Sequence, residues 1–295
     1  MVTLKKSADQ IALNFISYIV VGFFAIFTVF PFILLVVNSF TSEHYILNYG
    51  FSIIPREISL DAYSMIFTYP EEILRAYGVT IFITFAGTVV SLFLSSMAAY
   101  VMFRKEIKYR NALAFFIFFT TLFNGGLAPY YIIVSNMLHL QDKLLVLFLV
   151  PMFSAMNILI LRNFINGSIP DSLVESAKID GAGDFRIFIQ IVLPLSKAAL
   201  ASIGLFTALG YWNDWWTPMM FIQNDKLRPL QYVLYQIISS ANMSSVMSSY
   251  VSRLDMPKET LKLAMTVVSA GPIVFLYPFV QKYFVKGVTI GAVKG

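Results

Sequence analysis

The chain has 295 residues, of which 58% are hydrophobic and only 13% charged. A soluble globular domain carries about 25% charged residues, so the composition excludes one and points to a membrane bundle without a soluble domain. With no cysteine, disulfides, thiol nucleophiles and cysteine metal sites are excluded. The net charge of +5 comes from basic residues between apolar runs, where a membrane explains them and nucleic acid does not.

A spanning helix needs about 20 mainly apolar residues. Six stretches qualify, predicting an all-α polytopic membrane protein, a single transmembrane domain over 1–295. The first span, about 13–40, follows Lys5 and Lys6. It is too long for a signal-peptide core and is followed by no small-x-small cleavage site, so it is read as retained. The second, about 74–103, carries Gly87, Ser91, Ser95 and Ala99 at a spacing of four. Small residues on one face let helix backbones approach closely, so this face is read as packing. The third, about 112–137, is interrupted by Asn124-Gly125-Gly126 and Pro129. The fourth, about 144–165, contains Asn157. The fifth, about 198–222, contains all three tryptophans in Tyr211-Trp-Asn-Asp-Trp-Trp216, and the sixth is about 261–284.

Basic residues give the orientation. With the N-terminus inside, Lys5, Lys6, Arg104, Lys105, Lys108, Arg110, Lys286 and Lys294 all fall on the inner side. The positive-inside rule then puts both termini in the cytoplasm. Two outer segments, 41–72 and 223–260, are long for connections. Each is read either as docking a partner or gating a path, or as a solvated loop.

The inner segment 167–197 reads as two short helices joined by a glycine turn. Ser172 and Glu175 have the spacing of a capping box. Leu173, Val174 and Ala177 give the first helix an apolar side. Gly181 stands where a helix stop needs a left-handed residue. A second helix should run through Phe185, Phe188, Ile189 and Val192 until Pro194 breaks it. Membrane or a partner protein must cover the apolar side of such a hairpin.

This segment resembles the EAA loop of binding-protein-dependent ABC importers: Glu-Ala-Ala, three residues, Gly, nine residues, Ile-x-Leu-Pro. Here Glu175-Ser176-Ala177, Gly181 and Ile191-Val192-Leu193-Pro194 match every spacing, with Ser176 replacing the middle alanine. Asp180-Gly181-Ala182 resembles the carbohydrate branch. The C-terminal Lys286-Gly-Val-Thr-Ile-Gly-Ala-Val-Lys-Gly295 is similar to the tail of maltose-type permeases. Asn124-Gly-Gly-Leu-Ala-Pro-Tyr130 is similar to the lipoprotein-operon and alginate-type complex-sugar permeases.

The resemblance implies a type I ABC importer fold. It implies that Glu175, Ser176, Ala177, Asp180, Gly181 and Ala182 lie at a coupling helix docked on an ATPase, and that Gly291, Lys294 and Gly295 reach that ATPase through the tail. It implies a homologous permease partner in a heterodimer, two ATPase subunits holding ATP and Mg, and an extracellular solute-binding protein. The setting is the bacterial cytoplasmic membrane. No cofactor is bound by this chain itself and no nucleic acid is involved. The sequence holds no G-x-x-x-x-G-K-[ST] loop, so the chain is read as a non-catalytic subunit of an ATP-driven carbohydrate importer.

Candidate residues for the substrate path are Asn124, Tyr130, Asn157, Trp212, Asn213 and Trp216. Aromatic faces stack on sugar rings, and tryptophan in this position also serves as an interfacial anchor or packs. Asn213 and Asp214 are costly in lipid and are expected to face the bundle or water. The alternative, an ion-coupled secondary transporter, needs ionisable residues within spans, and Asp214 is nearly alone there. His44 and His139 stand far apart and suggest no metal site.

Overall fold

The computed structural model describes residues 8–68, 70–247 and 257–274. The described residues are overwhelmingly helical, with one isolated bridge between Thr41 and Ile58. They form two compact units: residues up to 70 with 237–271, and 71–236 with 272 onward.

The first unit begins with α1, Ala8–Ser39, a run of aromatic and aliphatic residues containing Pro31. Its side chains from Leu13 to Val36 are largely uncovered by the chain itself. A helix apolar on all sides requires lipid or another subunit as its solvent. At its end Asn38, fully buried, exchanges two hydrogen bonds with the backbone of Ser52, both 3.0 Å. Helix α2, Glu43–Tyr49, starts at an N-cap Ser42 and stops at Gly50, whose φ of +78° suits glycine. Helix α3 is Asp61–Ile66. The Glu43 carboxylate accepts the backbone N–H groups of Glu259 (2.9 Å) and Thr260 (2.8 Å), the first turn of the helix at 258–274.

The second unit is organised on α4, Pro70–Phe103. At 1.5 Å per residue its 34 residues run about 51 Å, well beyond a hydrocarbon core of about 30 Å. Its buried face includes Ile83, Gly87, Ser91, Ser95 and Ala99, as the spacing of small residues leads one to expect. The Ser91 hydroxyl donates to the Met152 carbonyl at 2.6 Å, a contact only a short side chain at close approach can make.

Helix α5, Arg110–Leu122, ends at the expected interruption. Gly126 has φ +87°, its N–H donates to the Asn124 side chain at 2.9 Å, and α6, Leu127–Ile132, sets out in a new direction. A π-turn over Ile133–Met137 extends α6, and the bend across the break is 119°. Two stretches read from sequence as continuous helices are broken. Residues 144–165 comprise α7, Leu144–Leu149, a gap holding Pro151, and α8, Ala155–Ser168, started by Ser154. Proline in a helix interior removes a donor and clashes with the preceding turn.

Helix α9 is Asp171–Ile179 and α10 is Asp184–Ile187. A π-turn over Phe188–Val192 leads into the short α11, Leu193–Leu195. Residues 198–222 comprise α12, Lys197–Trp212, and α13, Trp216–Phe221. The break falls at Asn213, and the Asp214 carboxylate accepts the Thr217 N–H at 3.0 Å to restart the helix. The segment 223–260, read from sequence as a long loop, is helical over much of its described residues. It contains α14, Leu230–Met247, and the first residues of the helix at 258–274.

Two helices, Ala12–Ser39 and Pro70–Phe103, are each long and apolar enough to cross a membrane. Two bent pairs, Arg110–Leu122 with Leu127–Met137 and Asp184–Leu195 with Lys197–Trp212, meet that test when each is taken together. Of the expected sixth span, 261–284, residues 275–284 lie outside the described residues.

A braced hairpin and an aromatic cavity

Helix α9 begins two residues earlier than the capping-box spacing suggests. Pro170 is the N-cap, which puts Ser172 in the second helical position with its side chain exposed. The expected Ser172–Glu175 box is therefore not formed. Proline already presets the entering backbone, and Asp171 supplies negative charge to the first turn.

The helix ends in a Schellman motif. The Ala182 N–H donates to the Ala177 carbonyl and the Gly181 N–H to the Lys178 carbonyl, both at 2.9 Å, with Gly181 at φ +79°. Ala177 and Ala182 pack together on the buried cluster formed by Tyr100, Phe103, Val174, Ile187 and Phe188. The motif's alanine and glycine positions thus shape the hairpin. Glu175, Ser176 and Asp180 face outward, joined by Ile179 (86% exposed) and Phe185 (63% exposed).

Pro194 does not end the second helix. In the π-turn the Leu193 N–H reaches the Phe188 carbonyl, five residues back, and Pro194 follows within the first residues of α11. The chain turns instead at Ser196, by 80°, into α12.

Three consecutive residues after α4, Arg104, Lys105 and Glu106, grip this hairpin, and the sequence reading uses the two basic ones only as inner-side charges. The Arg104 guanidinium, 4% exposed as a residue, donates to the Tyr100 hydroxyl (2.6 Å), to Asp184 (2.6 Å) and to Glu106 (2.8 Å). Lys105 pairs with Asp171, and Lys178 pairs with Glu106. The hydrogen bonds from Lys178 and then Arg104 hold the Glu106 carboxyl below its ordinary range. The available signal was charge complementarity between 104–106 and Asp171, Lys178 and Asp184.

A second feature lies at the broken helices. Asn124, Tyr130 and Trp216 line one cavity of about 700 Å³ with Gly126, Pro129 and Ile133. Trp216 is 43% exposed and meets Trp215 edge-on at 5.7 Å, and Trp215 stacks on Tyr235 at 4.6 Å. Sequence reasoning missed Trp215 and Tyr235 as members of this aromatic group. The other path candidates lie elsewhere. Trp212 is buried beside Tyr77, Asn157 donates to the Thr207 hydroxyl at 3.2 Å, and exposed Asn213 closes α12 and lies 3.4 Å from Gln231. Gly291, Lys294 and Gly295 lie outside the described residues.

Comparison with known proteins agrees with this arrangement. Residues 91–290 match the family described as binding-protein-dependent transport system inner membrane component. The chain is 42% identical over 273 residues to the polygalacturonan/rhamnogalacturonan transport system permease protein YtcP of Bacillus subtilis, covering 92% of this chain and 94% of that one. It is 38% identical over 268 residues to Protein LplC of the same organism, covering 91% and 90%. In structure it resembles a chain of a bacterial ABC transporter involved in the import of the acidic polysaccharide alginate. The TM-score is 0.78 at 28% identity, covering 96% of this chain and all of that chain. A helical membrane protein with a glycine-capped hairpin, matched over these lengths, belongs to the family of binding-protein-dependent transport system inner membrane components, the permease subunits of ABC importers.

Proposed function

We propose that this permease forms, with a second homologous subunit, the translocation path for an oligosaccharide, and that its α9–α10 hairpin docks on one of two ATPase subunits. The importer sits in the bacterial inner membrane. On this reading the chain makes six crossings with both termini in the cytoplasm, ATP and Mg reside on the ATPases, and an extracellular binding protein delivers the solute. Relatives named for polygalacturonan or rhamnogalacturonan and for arabinooligosaccharides, and the alginate importer, support a complex polysaccharide fragment as cargo. The cavity of Asn124, Tyr130 and Trp216 offers aromatic faces and an amide, the chemistry that a sugar ring and its hydroxyls require.

The observation that carries the docking is the hairpin's division into a braced inner side and an uncovered tip. Ile179 and Phe185 stand among the acidic and small residues Glu175, Ser176 and Asp180. Large apolar side chains on such a tip are the kind that anchor protein interfaces. Coexpression with the cognate ATPase tests this. Wild type should retain the ATPase through purification and Ile179→Asp should lose it. Equal retention by both would sink the docking.

A further inference from the structure

The hairpin is attached to α4 in two ways that differ physically. One is apolar: Val174, Ala177, Ala182, Ile187 and Phe188 against Tyr100 and Phe103. Apolar contact is non-directional, and packed helices slide over one another at small cost. The other is the charged clamp at 104–106. It reaches the start of α9 through Asp171, the end of α9 through Lys178 and the start of α10 through Asp184. Three points of attachment fix orientation as well as position.

The three are not equal. In the Lys105–Asp171 pair the lysine side chain is 70% exposed, so that pair contributes little. Arg104 is buried, and its planar fork binds two carboxylates and a hydroxyl in fixed directions. Tyr100 and Glu106 stay with Arg104 whatever the hairpin does, so a slide of the hairpin along α4 would take Asp184 from a buried guanidinium, which is costlier than losing a pair exposed on both sides.

We propose that Arg104 is a positioning residue that locks the hairpin to the end of α4, so that the two move as one rigid body during the transport cycle. This rests on the reading that the hairpin docks on an ATPase. The 80° turn at Ser196 gives the lock a use. Because the chain leaves the hairpin round a corner, α12 does not continue the hairpin axis, and among the hairpin's described neighbours α4 is the one joined to it by the charged clamp as well as by apolar packing.

The chain has no cysteine, so introduced pairs are its sole thiol labels. Spin labels at Phe85→Cys on α4 and Ser172→Cys on α9, both exposed positions, report the distance between the two bodies. They are read in a complex reconstituted with cysteine-free partners, without nucleotide and with ATP. In the parent the distance distribution should be narrow and the same in both states. Arg104→Ala should broaden it and lower solute transported per ATP hydrolysed about tenfold, the scale of a lost charge-assisted hydrogen bond. Arg104→Lys should recover part of both. Asp184→Asn, at an exposed partner, gives the same broadening in milder form, and carries the test if Arg104→Ala does not fold. A parent distance that changes with nucleotide overturns the proposal, as does an Arg104→Ala complex with parental distribution and transport ratio. A parent chain that recruits no ATPase overturns the docking reading instead.

Discussion

Gly87 and Tyr211 are fitted to one another: a Cβ placed on Gly87 would stand 2.4 Å from Cζ of the Tyr211 ring. The ring is held by its hydroxyl, which donates to the Phe148 carbonyl at 2.8 Å, so it cannot step aside without breaking that bond. Gly87→Ala should therefore destabilise the protein by about 1–3 kcal/mol through overpacking. Tyr211→Leu should be costly alone yet offset part of the Gly87→Ala cost in the double variant. A thermal-unfolding cycle in detergent checks this coupling, and strict additivity would contradict it.

Gly181 is constrained differently. A Cβ there meets nothing within 4 Å inside the chain, and only its φ of +79° demands glycine. Gly181→Ala should cost about 1 kcal/mol, and Gly181→Asn less, since asparagine tolerates the left-handed region. If stability is nearly kept in Gly181→Asn while ATPase retention is lost, the glycine is needed for close approach of the partner. Normal retention in that variant confines its role to the turn.

Glu106 gives a pH dependence with a definite sign. Its carboxyl titrates lower in the folded chain than the ordinary value of 4.5, because Lys178 and Arg104 hydrogen-bond its charged form. Its contribution is thus fully present above that ordinary value and lost as pH falls through the lowered one. Hydrogen exchange over residues 171–187, corrected for intrinsic rates, should show protection falling in that acid range. Glu106→Gln should remove that step, and an unchanged step would assign it to another group.

Trp216 is half exposed on the cavity wall, so Trp216→Ala should leave folding nearly intact. Loss of an aromatic contact of about 0.5–1.5 kcal/mol should weaken apparent solute affinity by roughly twofold to twelvefold. Uptake kinetics in vesicles with the complete importer would show a raised half-saturation concentration, whereas Trp212→Phe, in the buried position, should move stability more than affinity.

Glu43 caps the helix at 258–274 from outside that helix. Glu43→Ala should cost about 1 kcal/mol, as for other lost N-caps, and Glu43→Gln less. Exchange at the amides of Glu259 and Thr260 should accelerate in Glu43→Ala before the rest of the helix responds.

The sequence made α1 and α4 legible because each is an uninterrupted apolar run, and Asn124 to Gly126 announced a break through the left-handed freedom of glycine. The gap near Pro151 has its sign in the proline itself, masked in the sequence because the flanking apolar runs add up to a plausible span. The stop at Asn213 has less of one, since Trp-Asn-Asp-Trp-Trp lacks glycine and proline and the side chain that restarts the helix, Asp214, reads equally as a polar residue facing water. The hairpin turn was readable from local spacing. Its brace was not, because Arg104 and Asp184 lie eighty positions apart and only folding brings them together.

The turn of the hairpin separates two kinds of information. Ala177, Gly181 and Ala182, which make the segment recognisable, are used inward or in the backbone to close the cap. Ile179 and Phe185, which such a signature leaves free to vary, make up much of the apolar outer tip. A partner reading this tip would meet residues that the signature does not dictate. If the hairpin docks as proposed, its shape and the surface it offers are set by different residues, so a change at Ile179 or Phe185 alters the second and leaves the first.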